Sequence, residues 1–242
     1  MLIEELSSKF PEDPKSVIWK YMDLEQFIRL IQSRNLWFSQ VHQLEDLLEG
    51  STGRLNSEKR GQGNGGFSDP FFTGGPFIGE EGRYCFVNCW HMSEHESMGM
   101  WKIYASRGLG IAIKSSVVNL KTGILDAKAI YGGVVSYVNH AEDPIPDNLY
   151  ERLLRKDLSY SYEKEFRMIH CLPNWDELDE KPSGIEVEID PEALISEVIV
   201  APNTEPWRIE IFEKLIASAK YSFKVSKSRI NYPTSWSRKS KS

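Results

Sequence analysis

Hydrophobic and polar positions near the start of the chain predict a strand–helix–strand unit. Residues 17–22, VIWKYM, are rich in β-branched and aromatic side chains, which is typical of a strand. Asp23 and Gln26 then fit a capping box, the pattern that starts a helix. The apolar residues that follow at helical spacing are Leu24, Phe27, Ile28 and Ile31. Residues 35–40, NLWFSQ, predict a second strand.

The central block of the sequence predicts a buried strand followed by a helix. The strand is RYCFVNCWHM, residues 83–92. Ser93 with Glu96 fits a second capping box, so we expect the helix to begin there. The residues expected to face the core from this helix are Met98, Trp101 and Ala105.

The remaining pattern alternates short strands with a few helices. The predicted strands are residues 108–116, 131–138, 160–172, 184–190, 195–202 and 223–230. Helices are predicted over residues 146–159 and 205–221, the second with Trp207, Ile211 and Leu215 at i, i+4 and i+8. Several strands broken by scattered helices indicate an α+β fold with flanking helices around a mixed or antiparallel central sheet.

These elements are expected to form one α+β domain over residues 1–230. Residues 51–83 are dense in Gly and Pro and carry four Phe, so they predict a long loop. A loop of this length is either a lid or partner-binding element, or disordered, and the sequence leaves both open. Residues 231–242 predict a basic flexible tail.

Composition and charge narrow the class of protein. The chain has 242 residues, of which 40% are hydrophobic and 26% charged, as in an ordinary soluble globular protein. Its net charge of −6 argues against sequence-independent nucleic-acid binding. No apolar run is long enough to span a membrane, and the acidic N-terminus argues against a secretory signal. Three cysteines argue against a disulfide framework and for a reducing compartment, so we expect a cytoplasmic protein.

The central block contains four residues of metal-binding types, but their spacing does not suit a metal site. They are Cys85, Cys89, His91 and His95. On a strand, Cys85 and Cys89 lie roughly 13 Å apart, whereas two thiolates on one zinc must lie within about 4 Å of each other. His91 precedes the predicted helix, so it does not chelate together with His95 on one helix face. We therefore expect no metal here.

The central block also resembles a bacterial family. Its members show C-W-H, then E-S-x-x-M-W-K-x-Y, then G-x-A-I, and the family is catalogued as domain of unknown function 2971. The matching residues are Cys89, Trp90, His91, Glu96, Ser97, Met100, Trp101, Lys102, Tyr104, Gly110, Ala112 and Ile113. Flanking matches are an early Lys20–Tyr21 and a late E-x-E-x-R at Glu163, Glu165 and Arg167. Of the family's F-N-D-P-F-E stretch, only Asp46 and Glu49 are kept.

The late motif suggests chemistry at an anomeric carbon. On a strand, Glu163, Glu165 and Arg167 share a face, with the two carboxylates about 6–7 Å apart. One carboxylate would stabilise an oxocarbenium-like transition state while the other orients or deprotonates the attacking group. Arg167 would bind phosphate or hold a carboxylate.

The order of the motifs is similar to the ADP-ribosyltransferase plan, and this resemblance implies NAD as substrate. Lys20 or Tyr21 would then contact NAD, and Ser39 or Trp90 would line the nicotinamide pocket. Glu165 would be catalytic, with Glu163 beside it. The implied function is an ADP-ribosyltransferase or NAD glycohydrolase, in a bacterial toxin or phage-defence effector. The acceptor would be an unknown protein or nucleic acid.

Two other functions stay open. The first is a non-enzymatic interaction or sensor module, in which the E-x-E strand is a solvated face and the aromatic residues Trp90, Trp101 and Tyr104 are core. The second is a hydrolase or nuclease with Mg²⁺ or Mn²⁺ on oxygen ligands. Its ligands would be Asp46, Glu49, Glu163 and Glu165.

Overall fold

The structure is a computed structural model that describes residues 2–3, 9–44, 46, 50, 83–105, 109–146, 148–173 and 180–230. The predicted loop, apart from Arg83, and the predicted basic tail lie outside the described residues. Helices and mostly antiparallel strands confirm the predicted α+β class.

The described residues form short strands and helices in alternation. The strands are β1 (Leu2–Ile3), β2 (Val17–Asp23), β3 (Asn35–Gln40), β4 (Cys85–Met92), β5 (Gly110–Ser116), β6 (Ile130–Val134), β7 (Ser136–Val138), β8 (Arg155–Asp157), β9 (Glu165–Cys171), β10 (Gly184–Glu188), β11 (Glu197–Val200) and β12 (Val225–Lys227). The α-helices are α1 (Leu24–Ser33), α2 (Met98–Tyr104), α3 (Val117–Gly123), α4 (Leu149–Leu153), α5 (Pro191–Leu194) and α6 (Pro206–Ser218). Two 3₁₀ helices span Val41–Gln43 and Leu158–Glu163.

The chain divides into two compact units, each assembled from separate segments. Unit 1 comprises residues 1–13, 36–91 and 125–188, and unit 2 comprises residues 14–35, 92–124 and 189–242. That the chain forms one α+β domain over residues 1–230 stays a prediction.

Unit 1 is built on strands in the order β1-β6-β9-β4-β3-β10. Strands β4 and β9 are antiparallel, with Cys85 opposite Cys171 and His91 opposite Glu165. Strand β6 pairs antiparallel with the other edge of β9. Strand β9 is therefore interior, and six of its seven residues are buried. A core on this sheet comprises Val41, Cys85, Val87, Val135, Leu153, Leu154 and Ile169.

Unit 2 is built on strands in the order β2-β5-β11-β12. Its best-predicted element is α1, where Asp23 accepts from the Gln26 amide and the Gln26 side chain accepts from the Asp23 amide. Phe27 and Ile31 of the predicted face are buried, together with Leu30. A second core comprises Trp19, Tyr21, Met100, Trp101, Ala105, Ala112 and Ile199.

Several predicted boundaries and faces are wrong. Helix α2 begins after Ser97, whose hydroxyl accepts from the Met100 amide, and not at the Ser93 capping box. The predicted helix over residues 146–159 holds only the five residues of α4 before β8 and a 3₁₀ helix follow. The apolar stripe of α6 is not its buried face, because Trp207 and Ile211 are 55% and 56% exposed.

A disulfide between Cys85 and Cys171 overturns the expectation drawn from the cysteine count. Their Cα atoms are 4.1 Å apart across β4 and β9, although 86 residues separate them in sequence. An odd number of cysteines does not prevent two of them from pairing, and Cys89 is the cysteine outside the disulfide. The cytoplasmic localisation loses the support of the cysteine count and stays a prediction. In the described part of the chain, no helix has the length and apolar character needed to cross a membrane.

Thiol labelling tests the cross-strand disulfide. We expect one thiol to react with a maleimide in the unfolded, unreduced protein and three to react after reduction, because Cys85 and Cys171 form the disulfide and Cys89 takes no part in it. Intact mass counts the labels. As a control, Cys89→Ser should leave no reactive thiol before reduction, and three labels on the unreduced wild-type protein would contradict the pairing.

Candidate functional site

The two glutamates of the E-x-E motif lie in different elements. Glu163 ends the 3₁₀ helix, and Glu165 begins β9. Between them Lys164 has φ of 43°, in the left-handed region that non-glycine residues seldom occupy. This turn replaces the first part of the strand predicted over residues 160–172, so strand alternation does not set the direction of Glu163.

Glu165 is held by Arg167, two residues along the same strand. The Arg167 Nε donates to Glu165 Oε1 at 2.6 Å and its Nη2 to Oε2 at 2.9 Å, which makes the pair bidentate. The Arg167 Nη1 donates to the Leu153 carbonyl oxygen at 2.7 Å. Arg167 is 0% exposed and Glu165 3%. Both charges are therefore withdrawn from water and satisfied by each other.

Lys156 of β8 completes the group. Its Nζ donates to Glu163 Oε2 at 2.7 Å and lies 3.7 Å from Glu165 Oε2. Lys156 and Glu163 are 7% and 5% exposed. We call Lys156, Glu163, Glu165 and Arg167 the buried ion cluster. Its two cations balance its two carboxylates.

The surroundings keep Glu165 ionised. Burial acts to raise the pKa of Glu165, but the charge and hydrogen bonds of Arg167 outweigh it, with Lys156 and the Cys89 thiol adding to the effect, so the pKa lies well below the ordinary value. The Glu165 amide donates to the Tyr137 hydroxyl at 2.8 Å. Burial raises the pKa of Tyr137 to about 12, so that hydroxyl keeps its proton at neutral pH.

His91 faces the same region from β4. Burial lowers its pKa, so the imidazole is neutral at neutral pH. Its Nδ1 lies 2.5 Å from the Glu163 carbonyl oxygen, which can only accept, so Nδ1 carries the proton. The other ring nitrogen, Nε2, is then left as an acceptor.

The structure brings only some of the sequence-predicted site residues together. Glu163, Glu165 and Arg167 form one cluster and are buried, so the alternative in which the E-x-E strand is a solvated face is wrong. Trp90 is buried on β4, opposite Phe166, and its Nε1 donates to Asn88 Oδ1 at 2.8 Å. Ser39 is half-buried on β3 and lies opposite Val87 of β4.

Lys20 and Tyr21 belong to unit 2. Tyr21 is buried, and its hydroxyl accepts from the Ser97 amide at 2.9 Å. Its ring meets Trp101 edge to face, with centroids 5.0 Å apart. Lys20 is half-buried and lies opposite Ile113 of β5. These contacts give Tyr21 a packing role in the unit 2 core.

Sequence reasoning missed the groups that surround Glu165. The role of Lys156 could not be predicted, because residues 146–159 have the pattern of a helix and Lys156 falls near its end. Cys89 and His91 carried a usable signal, since their shared parity on the predicted strand places both on one side. Tyr137 gave no signal, because an aromatic residue on a short strand is ordinary core.

Three of the four carboxylates proposed for a metal site, Asp46, Glu163 and Glu165, lie among the described residues. Among the described residues, no group of three or more His, Cys, Asp or Glu side chains could hold a metal ion. Asp46 is buried and accepts from the Asp157 amide at 3.4 Å. Glu49 lies outside the described residues. Glu163 and Glu165 form ion pairs with Lys156 and Arg167 instead.

Breaking the Arg167 pair should destabilise the protein strongly. We expect Arg167→Met to cost about 3–5 kcal/mol of unfolding free energy, because it leaves Glu165 buried without its main partner. The matched control is Arg208→Met, since Arg208 pairs with Glu205 at 3.0 Å on the surface, with side chains 40% and 59% exposed. That pair is worth about 0–1 kcal/mol. Urea denaturation measures both, and similar losses would contradict the account.

The pH dependence should reveal the charge on Glu165. A carboxyl whose folded pKa is depressed stabilises the protein above its ordinary pKa and loses that contribution as pH falls through the folded pKa. In Arg167→Met the burial of Glu165 remains without the guanidinium, so its folded pKa rises. The cost of Arg167→Met should therefore be smaller at about pH 4 than at about pH 7. Unfolding free energies at both pH values check this, and a cost independent of pH would show that Glu165 is not the charge concerned.

Comparison with known proteins assigns no role to these residues. No family model matches the chain, and no curated protein matches its sequence. The functional interpretation therefore rests on the geometry of the buried ion cluster and its neighbours.

Proposed function

We propose that the chain is an NAD-using enzyme of the ADP-ribosyltransferase type and a member of the domain of unknown function 2971 family. The observation that carries this proposal is the antiparallel pairing of β4 with β9, which puts Trp90 opposite Phe166 and His91 opposite Glu165. In the ADP-ribosyltransferase plan the middle strand lines the nicotinamide pocket and the last strand supplies the glutamate. The adjacency of these two strands supports that assignment of roles.

The charge state of Glu165 suits the reaction. The bond between the ribose C1′ and the nicotinamide nitrogen breaks, and its electron pair leaves with nicotinamide. A water or an acceptor nucleophile then bonds to C1′ and releases a proton. The positive charge that builds on the ribose in the transition state is stabilised by a fixed carboxylate. Glu165 is ionised and oriented by Arg167 at neutral pH.

The proposal requires that the buried Glu165 become accessible to NAD. Glu165 is 3% exposed, and both of its carboxylate oxygens accept from Arg167. The carboxylate has about four acceptor sites, of which Arg167 takes two and the Cys89 thiol one, so a ribose hydroxyl would use the fourth or replace the thiol. NAD must therefore displace the side chains that cover Glu165 before it reacts. His91 lies opposite Glu165 in the pairing of β4 with β9, and its neutral ring offers Nε2 as an acceptor.

The second candidate is a non-enzymatic interaction or sensor module. The observation that favours it is the closure of the buried ion cluster, in which each carboxylate is already paired and withdrawn from solvent. In this function the cluster would fix the strands of unit 1 and perform no chemistry. A role as a toxin or phage-defence effector, with a protein or nucleic-acid acceptor in the cytoplasm, belongs to the first candidate only.

Nicotinamide release from NAD distinguishes the two. We expect the wild-type protein to release nicotinamide and Glu165→Gln to release it at least about 100-fold more slowly, because the stabilising charge is lost. The control is Glu205→Gln, the same change at an exposed carboxylate, which should keep the wild-type rate. Thermal unfolding of each variant must show that it is folded at the assay temperature.

NAD binding, followed by saturation-transfer NMR, supplies a readout that needs no turnover. If the wild-type protein neither binds NAD nor releases nicotinamide, the enzyme proposal is overturned and the interaction module remains. Release that survives in folded Glu165→Gln would show that the E-x-E glutamate is not catalytic.

A further inference from the structure

Helix α6 of unit 2 carries large apolar residues on two faces. Phe212 and Ile216 of the inner face are buried, and the Phe212 ring packs against Phe27 of α1, with centroids 5.4 Å apart. Trp207 and Ile211 lie on the outer face and are the most exposed large apolar side chains among the described residues. A surface helix ordinarily has one apolar and one polar face, so apolar residues on both faces indicate that both are covered in the working protein.

The outer apolar residues form a continuous ridge. Trp207, Ile211 and the half-buried Leu215 follow one another at intervals of four residues, which places them in one row along the helix. We call these three residues the α6 stripe. Exposed apolar residues scattered singly over a surface need no explanation, but a contiguous group of them marks an interaction surface. The α6 stripe is therefore a candidate docking surface on a helix that its inner face holds in place.

One edge of the α6 stripe carries an acidic and a basic side chain. Glu210 and Lys214 are exposed and occupy the row beside the stripe, one helical turn apart. Within the described part of the chain, neither side chain forms an ion pair. On the other edge, Arg208 already pairs with Glu205 at 3.0 Å. Glu210 and Lys214 are therefore the charges beside the stripe that remain available to a partner.

The order of these charges makes the edge complementary to itself in an antiparallel helix pair. A two-fold axis reverses the second helix and brings the same edge of both helices together. With the axis near Ile211, Ile211 faces its own copy and Trp207 faces Leu215 of the second copy. Glu210 then lies beside Lys214 of the second copy, to within about one residue's rise of 1.5 Å, and the contact occurs twice. In a parallel pair these edges would lie on opposite sides of the interface and would not meet.

We propose that the α6 stripe is a homodimer interface, in which α6 packs antiparallel against α6 of a second copy of this chain. The two apolar ridges leave water together, and the Glu210–Lys214 pairs fix the direction of packing. A helix of 13 residues is about 20 Å long, so the interface is smaller than that of a permanent dimer. We expect a reversible dimer with a dissociation constant on the order of 10 μM.

Sedimentation equilibrium of the full chain measures the dimer. Concentrations should run from about tenfold below to about tenfold above the expected dissociation constant, at about 0.15 M salt. The test variant is Ile211→Glu, and the matched control is Leu125→Glu in unit 1, since Ile211 and Leu125 are 56% and 53% exposed. We expect Ile211→Glu to weaken the dimer at least about tenfold, because it places a charge in the apolar ridge, and the control to stay within about twofold.

Charge reversal tests the antiparallel arrangement. Glu210→Lys and Lys214→Glu each put like charges at both edge contacts, so each variant alone should dimerise at least about fivefold more weakly than the wild-type protein. An equimolar mixture of the two variants brings opposite charges together again and should recover the wild-type affinity. An ion pair within one helix cannot produce this recovery, because neither variant carries opposite charges at these two positions of its own helix.

A wild-type protein that stays monomeric over this range would overturn the proposal and leave the α6 stripe to a different partner. A dimer that Ile211→Glu does not weaken, or that Leu125→Glu weakens equally, would also overturn it. Failure of the mixture to recover would show that the helices do not pack antiparallel. All substituted positions are exposed, so the variants should fold, and thermal unfolding checks this. The proposal goes beyond the proposed enzyme activity and does not depend on it, because no residue of the buried ion cluster lies on α6.

Discussion

The interior of unit 1 depends on a guanidinium that has no contact with water. Arg167 is 0% exposed, and its donors go to both oxygens of Glu165 and to the Leu153 carbonyl. Removing two charges from water costs about as much as their attraction returns, so the pair is not a large source of net stability. What it imposes is a geometric requirement. Sheet pairing on both edges of β9 must leave these groups matched, since an unmatched charge there would be far costlier.

Several strands of both units could be predicted from the local pattern, because many of their side chains are β-branched or aromatic. Strands β3, β4, β5 and β11 lie within the ranges predicted for them, and β2 extends one residue beyond its predicted range. The Asp23–Gln26 capping box was readable for another reason, since both of its hydrogen bonds form within four residues. The resemblance pointed to Glu163, Glu165 and Arg167 together, and the structure does bring them together.

The local pattern did not predict the features that depend on how the chain turns or on residues far apart in sequence. Lys156 meets Glu163 only because the 3₁₀ helix and the left-handed Lys164 turn the chain back. Nothing in the spacing of charges distinguishes that arrangement from a solvated strand. The partner of Cys85 lies 86 residues away, so the cysteine count could not identify it. Trp207 and Ile211 have the helical spacing expected of a buried face. The residues of α6 that tertiary packing buries are instead Phe212 and Ile216.

The two-residue separation of Glu165 and Arg167 has a consequence for how the chain folds. A contact between such near neighbours closes almost no loop, so its entropic cost is small, whereas the Cys85–Cys171 contact must close a long one. The Glu165 carboxylate can pair with the Arg167 guanidinium while β9 is still an isolated, hydrated segment. Strands β4 and β6 would then add to the two edges of a strand whose charges are already compensated. Desolvation of the sheet interior thus proceeds without a bare ion at its centre, which removes one barrier that more distant charge pairs would impose on assembly.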